Sequence, residues 1–328
     1  GDAYLSLHSA ERIADVRRAI ASYRRALRFL EPAHDPHDYV RVQNNLGLAY
    51  RQLAQEGYPP AWDLAVACFE AALATPDIAS ATLTRAHVLN NLGIAHAALA
   101  DEGRQGADAE AIRYFRMADR LIAQREPSLD KAQIRGNLGR VLMRHATEGQ
   151  SRREAERYLR AALVVQTVAV DPRGHRRASS HLGDFCARAK RWSDALEAYN
   201  SAIAAHERLY DRAGAEEART AELGQNASLF VRKAYCLARL GRLADGRQTL
   251  EAGRARALCS ALSRTVGDTA DAAQDGRPFD GEPQRRSGEF GMPALGAGRC
   301  ALVYLATTEL GSAALIAPTD SEAADADN

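Results

Sequence analysis

The chain has 328 residues, in which 43 Lys and Arg nearly balance 42 Asp and Glu, and 46% of the residues are apolar. This length fits one extended array or two ordinary domains, and the balanced charge does not favour a nucleic-acid or membrane-surface protein. The five cysteines are scattered and lack CxxC spacing, which predicts a reducing, cytoplasmic environment. Apolar runs stay below the roughly 18 residues of a membrane span, so no membrane contact is expected.

A short pattern recurs along most of the chain: an alanine followed four residues later by an aromatic or large apolar residue. It occurs at Ala19/Tyr23, Ala65/Phe69, Ala111/Phe115, Ala155/Leu159, Ala195/Tyr199 and, in degenerate form, Gly246/Leu250. A small residue follows three positions later, which places all three side chains on one stripe of a helix. The pattern therefore predicts a series of similar helices, the second member of each helix pair.

A different phrase lies upstream of four of these helices. "NNLGLAY" at residues 44–50 returns as "NNLGIAH" at 90–96, "GNLGRVL" at 136–142 and "SHLGDFC" at 180–186. Glycine costs a helix interior about 1 kcal/mol relative to alanine, so we expect a neighbouring helix to approach closely at each glycine. Proline pairs predict where these first helices begin, with proline in the opening turn. The pairs are Asp35-Pro36, Thr75-Pro76, Glu126-Pro127 and Asp171-Pro172.

The two phrases together resemble the tetratricopeptide repeat, L-G-x2-Y followed by A-x3-F, and residues 181–204 have the usual spacing of that family. The resemblance implies an all-α fold. We expect a tetratricopeptide-like α-solenoid, a right-handed superhelix of about five to six helix pairs with a period of 40–51 residues, over residues 1–264.

The composition changes after this array. Residues 265–298 are rich in Gly, Pro, Asp and Ala and predict a flexible linker. Residues 299–318 predict a short β-hairpin, and residues 319–328 an acidic, disordered tail. Because a two-stranded hairpin is not stable alone, we expect it to open a larger sheet domain.

This junction carries a second resemblance. A repeat array with "NNLG" units, the helix end "LEAGRARALCSAL" at 250–262 and then "ALVYLATTELGSAALI" is similar to CHAT proteins, bacterial caspase-like peptidases associated with tetratricopeptide repeats. The resemblance implies the sensor half of such a peptidase. The family's catalytic His and Cys have no counterpart here, so this chain is expected to be no enzyme, with no catalytic residue, cofactor or metal. The cluster "HDPHDY" at 34–39 is better explained by helix capping than by a metal.

The family resemblance also implies a concave groove lined by the first helices, which would bind a protein or peptide partner or the chain's own C-terminal CHAT domain. Counting Leu-Gly as repeat positions 7 and 8, the candidate groove residues lie at positions 2, 5, 6 and 9. They are Asn45, Asn91, Asn137, His181, Asn44, Asn90, Arg41 and Arg140.

Two roles for the asparagines remain open. In the family, amides before Leu-Gly grip a peptide backbone, because an amide both donates and accepts. Alternatively, the amides tie adjacent repeats together. Two other functions are also open: a stand-alone adaptor, and RNA binding through the arginine-rich surface. The second is not favoured, because those arginines alternate with acidic residues.

Overall fold

The computed structural model describes residues 12–79, 81–145, 149–212, 227–253, 301–308 and 311–318. The chain divides into two compact units, residues 1–174 and 175–328, and each is described by itself. Most of the described chain is helical and packs as helix pairs, so the fold is all-α and of the α-solenoid type.

The first unit begins with α1, Arg12–Ala26, and continues as three helix pairs. The pairs are α2 Pro36–Gln55 with α3 Ala61–Leu73, α4 Thr82–Asp101 with α5 Ala107–Leu121, and α6 Leu129–His145 with α7 Gly149–Leu163. A 3-10 helix, Pro76–Ala79, lies between the first two pairs. Each second helix also contacts the first helix of the next pair: α3 contacts α4, and α5 contacts α6. The leading helix α1 contacts α2 in the same way, so the pairs form one continuous stack.

The predicted stripe of the second helices forms the core. Phe69, Phe115 and Leu159 are fully buried, and so are the alanines four residues before them and three residues after them. Burying an aromatic or leucine side chain contributes about 1.5–3 kcal/mol, so each of these side chains adds substantially to the apolar core of its pair. The prediction of a recurrent buried stripe is confirmed.

The glycines of the first helices lie directly against this stripe. A Cβ atom on Gly47 would stand 2.5 Å from the ring of Phe69, and one on Gly93 would stand 2.7 Å from the ring of Phe115. In the third pair the same position, Gly139, faces the smaller Leu159 at 2.9 Å. No side chain fits in this space, which confirms that the repeated glycine serves the close approach of two helices.

Two further pairs follow, and apart from residues 172–174 they belong to the second unit. They are α8 Pro172–Arg188 with α9 Trp192–Arg212, and α10 Ala227–Arg239 with α11, residues 243–253. Gly183 of α8 repeats the contact seen in the first unit, because a Cβ there would lie 2.6 Å from the ring of Tyr199. Two strands, β1 Ala301–Thr308 and β2 Gly311–Pro318, pair antiparallel with Ala301 opposite Pro318.

Two of the four predicted helix starts are correct. The helix α2 begins at Pro36 and α8 at Pro172. At α8 the preceding Asp171 accepts a hydrogen bond through Oδ1 from the Gly174 backbone N–H at 2.9 Å. This side-chain bond satisfies one of the free N–H groups at the helix start.

The other two predicted starts are wrong by a few residues. Pro76 opens the short 3-10 helix, and α4 begins only at Thr82. The hydroxyl of Thr75 donates back to the Ala71 carbonyl at the end of α3, so it does not cap a following helix. The helix α6 begins after Pro127, because Ser128 is its capping residue and accepts the Lys131 backbone N–H at 3.3 Å. Side-chain oxygens cap α6 and α8, whereas α2 and α4 begin without a side-chain cap hydrogen bond.

The expected linker at residues 265–298 and the acidic tail at 319–328 lie outside the described residues. None of the described helices is long and apolar enough to cross a membrane.

Candidate functional site

Asparagines of neighbouring first helices are joined side chain to side chain. Nδ2 of Asn91 on α4 donates to Oδ1 of Asn44 on α2 at 3.0 Å. Nδ2 of Asn137 on α6 likewise donates to Oδ1 of Asn90 on α4 at 3.0 Å. Repeat position 6 thus bonds position 5 of the preceding pair. These four residues are called the amide ladder below, and they link successive helix pairs of the first unit.

In the second unit, different side chains make the equivalent contact between position 6 and position 5 of the preceding pair. When Ala234 is aligned with the repeated glycine, Arg232 of α10 occupies position 6. Its Nη1 lies 3.5 Å from the hydroxyl of Ser180, which is position 5 of α8, and 2.9 Å and 3.0 Å from the two carboxylate oxygens of Asp184. Arg232 was not among the predicted site residues, because this helix lacks Leu-Gly. Arg232 lies 51 residues after His181, which is position 6 of α8, and this spacing is within the predicted repeat period. The spacing is therefore the sequence signal that could have identified Arg232.

The remaining predicted groove residues are placed as follows. Arg41 is exposed and donates through Nη2 to Oδ1 of Asp38 at 2.8 Å. Asn45 is half-buried and accepts from Nδ2 of Asn44 at 3.4 Å. Arg140 lies near the other end of the first helices, 3.8 Å from Asp101, and burial lowers the pKa of its guanidinium. His181 is half-buried on α8, in the second unit.

Arg41 and Asn44 lie together at a cavity of about 280 Å³ between α2 and α4. Its apolar wall is formed by Val40, Ile78 and Val88, all of which are buried. The other polar groups at this cavity come from α2 and α4 and were not among the predicted site residues. They are His37, Thr84 and His87. The sequence signal for His87 was its place at position 2, equivalent to Arg41.

Arginines of the second helices have carboxylate partners. Arg113 bonds Glu110 within α5, Arg160 bonds Glu156 within α7, and Arg116 of α5 bonds both oxygens of Glu154 of α7 at 3.0 Å and 3.1 Å. Exposed ion pairs of this kind contribute little to stability. They do neutralise the basic charge that phosphate binding would require.

The described thiols lie in the interior of the helix pairs. Cys68, Cys186 and Cys236 are buried and form no disulfide, and burial raises the pKa of Cys68 and of Cys236 to about 12. A thiol protonated at neutral pH is a poor nucleophile. Cys259 and Cys300 lie outside the described residues. In the cluster at 34–39, His34 bonds Glu31 and Asp38 bonds Arg41, and no group of three potential metal ligands occurs among the described residues.

Helix pairs bearing an amide ladder and an open polar cavity define a repeat protein of the α-solenoid class. No family model matches the sequence, and no curated protein does. The crystal structure of BtubC (BKLC) from P. vanneervenii matches with a TM-score of 0.46 and 17% identity, over 84% of this chain and 96% of that chain.

A double-mutant cycle measures the free energy that one hydrogen bond of the amide ladder contributes. We expect Asn44→Ala and Asn91→Ala each to lower the free energy of unfolding of the first unit, with a coupling of about 1 kcal/mol between them, because they share one hydrogen bond. Asn44→Ala and Asn137→Ala share none and should be additive. Urea denaturation of the four variants of each cycle gives both couplings. Equal couplings in the two cycles would show that the ladder bond contributes nothing specific.

Proposed function

We propose that this protein is a protein-interaction scaffold whose first helices bind a peptide or protein partner. The observation that supports this most strongly is the cavity between α2 and α4, at the edge of the amide ladder. Its polar side chains include Arg41, His37 and Thr84, which are not members of the amide ladder. Concave sites of this kind, with an apolar wall and a few polar groups, are typical of ligand binding.

The amide ladder is compatible with both roles considered for the asparagines. An amide has two N–H donors and a carbonyl with two lone pairs, and each ladder bond uses one donor of one residue and one lone pair of the other. The bonds also hold each side chain in one orientation. Orientation before binding reduces the entropy that a partner must overcome. We therefore assign the ladder a structural role and place partner contact at the adjoining cavity.

Site-specific photo-crosslinking tests the proposal. A photoreactive phenylalanine analogue replaces Thr84, which is exposed at the cavity, or Arg120, which is exposed on the second helix α5. In cells that express the protein naturally, position 84 should give a covalent adduct of defined mass, and position 120 should not. Loss of this adduct when Arg41→Gln is added would assign it to the cavity. The proposal is wrong if position 84 gives no adduct or if both positions give the same ones.

The proposal extends to the regulation of a caspase-like domain. It is supported by the resemblance of the helix pairs to tetratricopeptide repeats and of the 250–318 junction to CHAT proteins. In this proposal the repeats act in the cytoplasm as the sensor half, and a following CHAT domain is both the regulated enzyme and a binding partner. Reading the gene beyond Asn328 tests it: the frame should encode a His and a Cys on a caspase-like sheet. A frame without this pair would leave a stand-alone adaptor.

A further inference from the structure

The first helix α10 departs from the repeat at a position that is otherwise buried and apolar. In α2, α4, α6 and α8, repeat position 7 is a buried leucine: Leu46, Leu92, Leu138 and Leu182. With Ala234 aligned on the repeated glycine, α10 carries Lys233 at this position, and its side chain is half-buried. Removing an ammonium from water is unfavourable unless the ammonium is paired. Residues that break a local pattern in this way are typical of functional sites.

Lys233 lies at a cavity of about 450 Å³ in the second unit. The cavity is lined by the second helices α9 and α11 and by the first helix α10. Four of its lining side chains are apolar and buried: Leu196, Ile203, Phe230 and Leu237. The volume equals that of roughly fifteen water molecules, which is room for a few side chains but not for a whole helix.

The charges at this cavity leave one ammonium without a partner. Arg242 and Asp245 form an exposed ion pair with each other at 2.7 Å. Glu207 lies on an exposed turn of α9 and has another interaction of its own. Within the part of the chain that the structure describes, the ammonium of Lys233 forms no hydrogen bond or ion pair. An acidic group of a partner can therefore pair with Lys233 without displacing a bond within the chain.

Polar and apolar side chains follow one another along the cavity at helical spacing. On α10, Lys233 lies between Phe230 and Leu237, at i, i+3 and i+7. On α9, the exposed Asn200 lies between the two apolar lining residues of that helix, at i, i+4 and i+7. Side chains at these spacings share one face of a helix. A partner helix packed along the cavity would present its own side chains at the same spacing.

We propose that the cavity between α9 and α11 binds one face of an amphipathic partner helix, through an apolar, an acidic and a second apolar side chain. The acidic side chain pairs with Lys233, and Asn200 donates to the same carboxylate. The two apolar side chains pack on the apolar lining. This inference goes beyond the proposed function, because it concerns helices of the second unit and none of the groove positions 2, 5, 6 and 9.

Peptide binding tests this inference with the full chain. The probe is a fluorescein-labelled, C-terminally amidated peptide of eighteen Ala and Gln residues, with Leu at positions 6 and 13 and Glu at position 9. A matched peptide carries Gln at position 9, and a third carries the Glu at position 11, on another face of the helix. We expect the first peptide to bind at least about tenfold more tightly than the other two, because charge-assisted hydrogen bonds are the stronger ones.

Three protein variants complete the test. Lys233→Gln should reduce binding of the first peptide to the level of the matched peptide. Lys190→Gln removes the same charge from the exposed turn between α8 and α9, outside the cavity, and should leave binding unchanged. Lys233→Leu restores the leucine of the other repeats, so it should raise the midpoint of urea denaturation and abolish the preference for Glu. Circular dichroism checks that the variants are folded.

Several outcomes would overturn the inference: equal binding of the first and matched peptides, equal losses in Lys233→Gln and Lys190→Gln, a preference for Glu that survives Lys233→Leu, or no binding of the first peptide at millimolar concentration. Lys233 would then only extend its ammonium into solvent along an apolar stem. Crosslinking at position 84 probes the cavity between α2 and α4 and does not depend on Lys233. The two proposals therefore fail separately.

Discussion

Gly93→Ala should lower the free energy of unfolding of the first unit by roughly 2 kcal/mol, although alanine is the better helix former. Three ring atoms of Phe115 would lie 2.7–2.9 Å from the new Cβ atom. Phe115 is fully buried, so its rigid ring has no free space to enter. Separation of α4 from α5 relieves the clash only by losing the contacts that hold the pair together. Urea denaturation followed by far-ultraviolet circular dichroism measures the change.

Gly136→Ala is the matched control. Gly136 also lies inside a first helix, but the nearest atom to its new Cβ would be Cβ of Ala162 at 3.6 Å, which is ordinary contact. Here only the gain in helix propensity remains, so stability should rise by up to about 1 kcal/mol. Opposite signs for the two substitutions are therefore expected. If both alanines stabilise the unit, the repeated glycine is not required for close packing.

Asp184→Ala should lower the free energy of unfolding of the second unit by about 2–3 kcal/mol. Asp184 accepts from Arg232 at 2.9 Å and from the Tyr199 hydroxyl at 2.7 Å. Burial and the negative charge of Asp184 raise the pKa of Tyr199, whose hydroxyl therefore remains a donor. Removing the carboxylate leaves both donors without this acceptor, and only 31% of the Arg232 side chain is accessible. Hydrogen exchange of peptides from α8, α9 and α10 reports the loss in this unit.

Three variants establish that the loss comes from this network. Tyr199→Phe keeps the ring against Gly183 and loses one hydrogen bond, so it should cost about 1 kcal/mol. Adding Arg232→Met to Asp184→Ala removes the guanidinium that lost its partner and should restore part of the stability. Asp211→Ala, at an exposed site in the last turn of α9, should change stability by less than about 0.5 kcal/mol. A loss at Asp211 as large as at Asp184 would refute the network.

The recurrence of short phrases was sufficient to predict the helix pairs and their contacts. Ala111 and Phe115 lie on one stripe because a helix brings residues four apart onto one face. The recurrence of Gly93 within a helix indicated close packing because glycine there is otherwise unfavourable. Both inferences use distances within one or two helices, which the chain itself dictates. Helix starts were less predictable, since several nearby side chains can act as the cap, and Ser128 rather than Pro127 determines the start of α6.

The partners of polar side chains were decided by the tertiary structure. The phrase "NNLG" placed Asn44 and Asn91 at equivalent positions, but the sequence left peptide contact and repeat-to-repeat bonding open. An amide takes whichever donor or acceptor the stacking of helices 47 residues apart brings within 3.0 Å, and the stacking of α2 on α4 provides Asn91 for Asn44. Apolar burial follows a local period that can be read along the chain. Hydrogen bonds between helices depend on distances of a few tenths of an ångström, which only the packed structure determines.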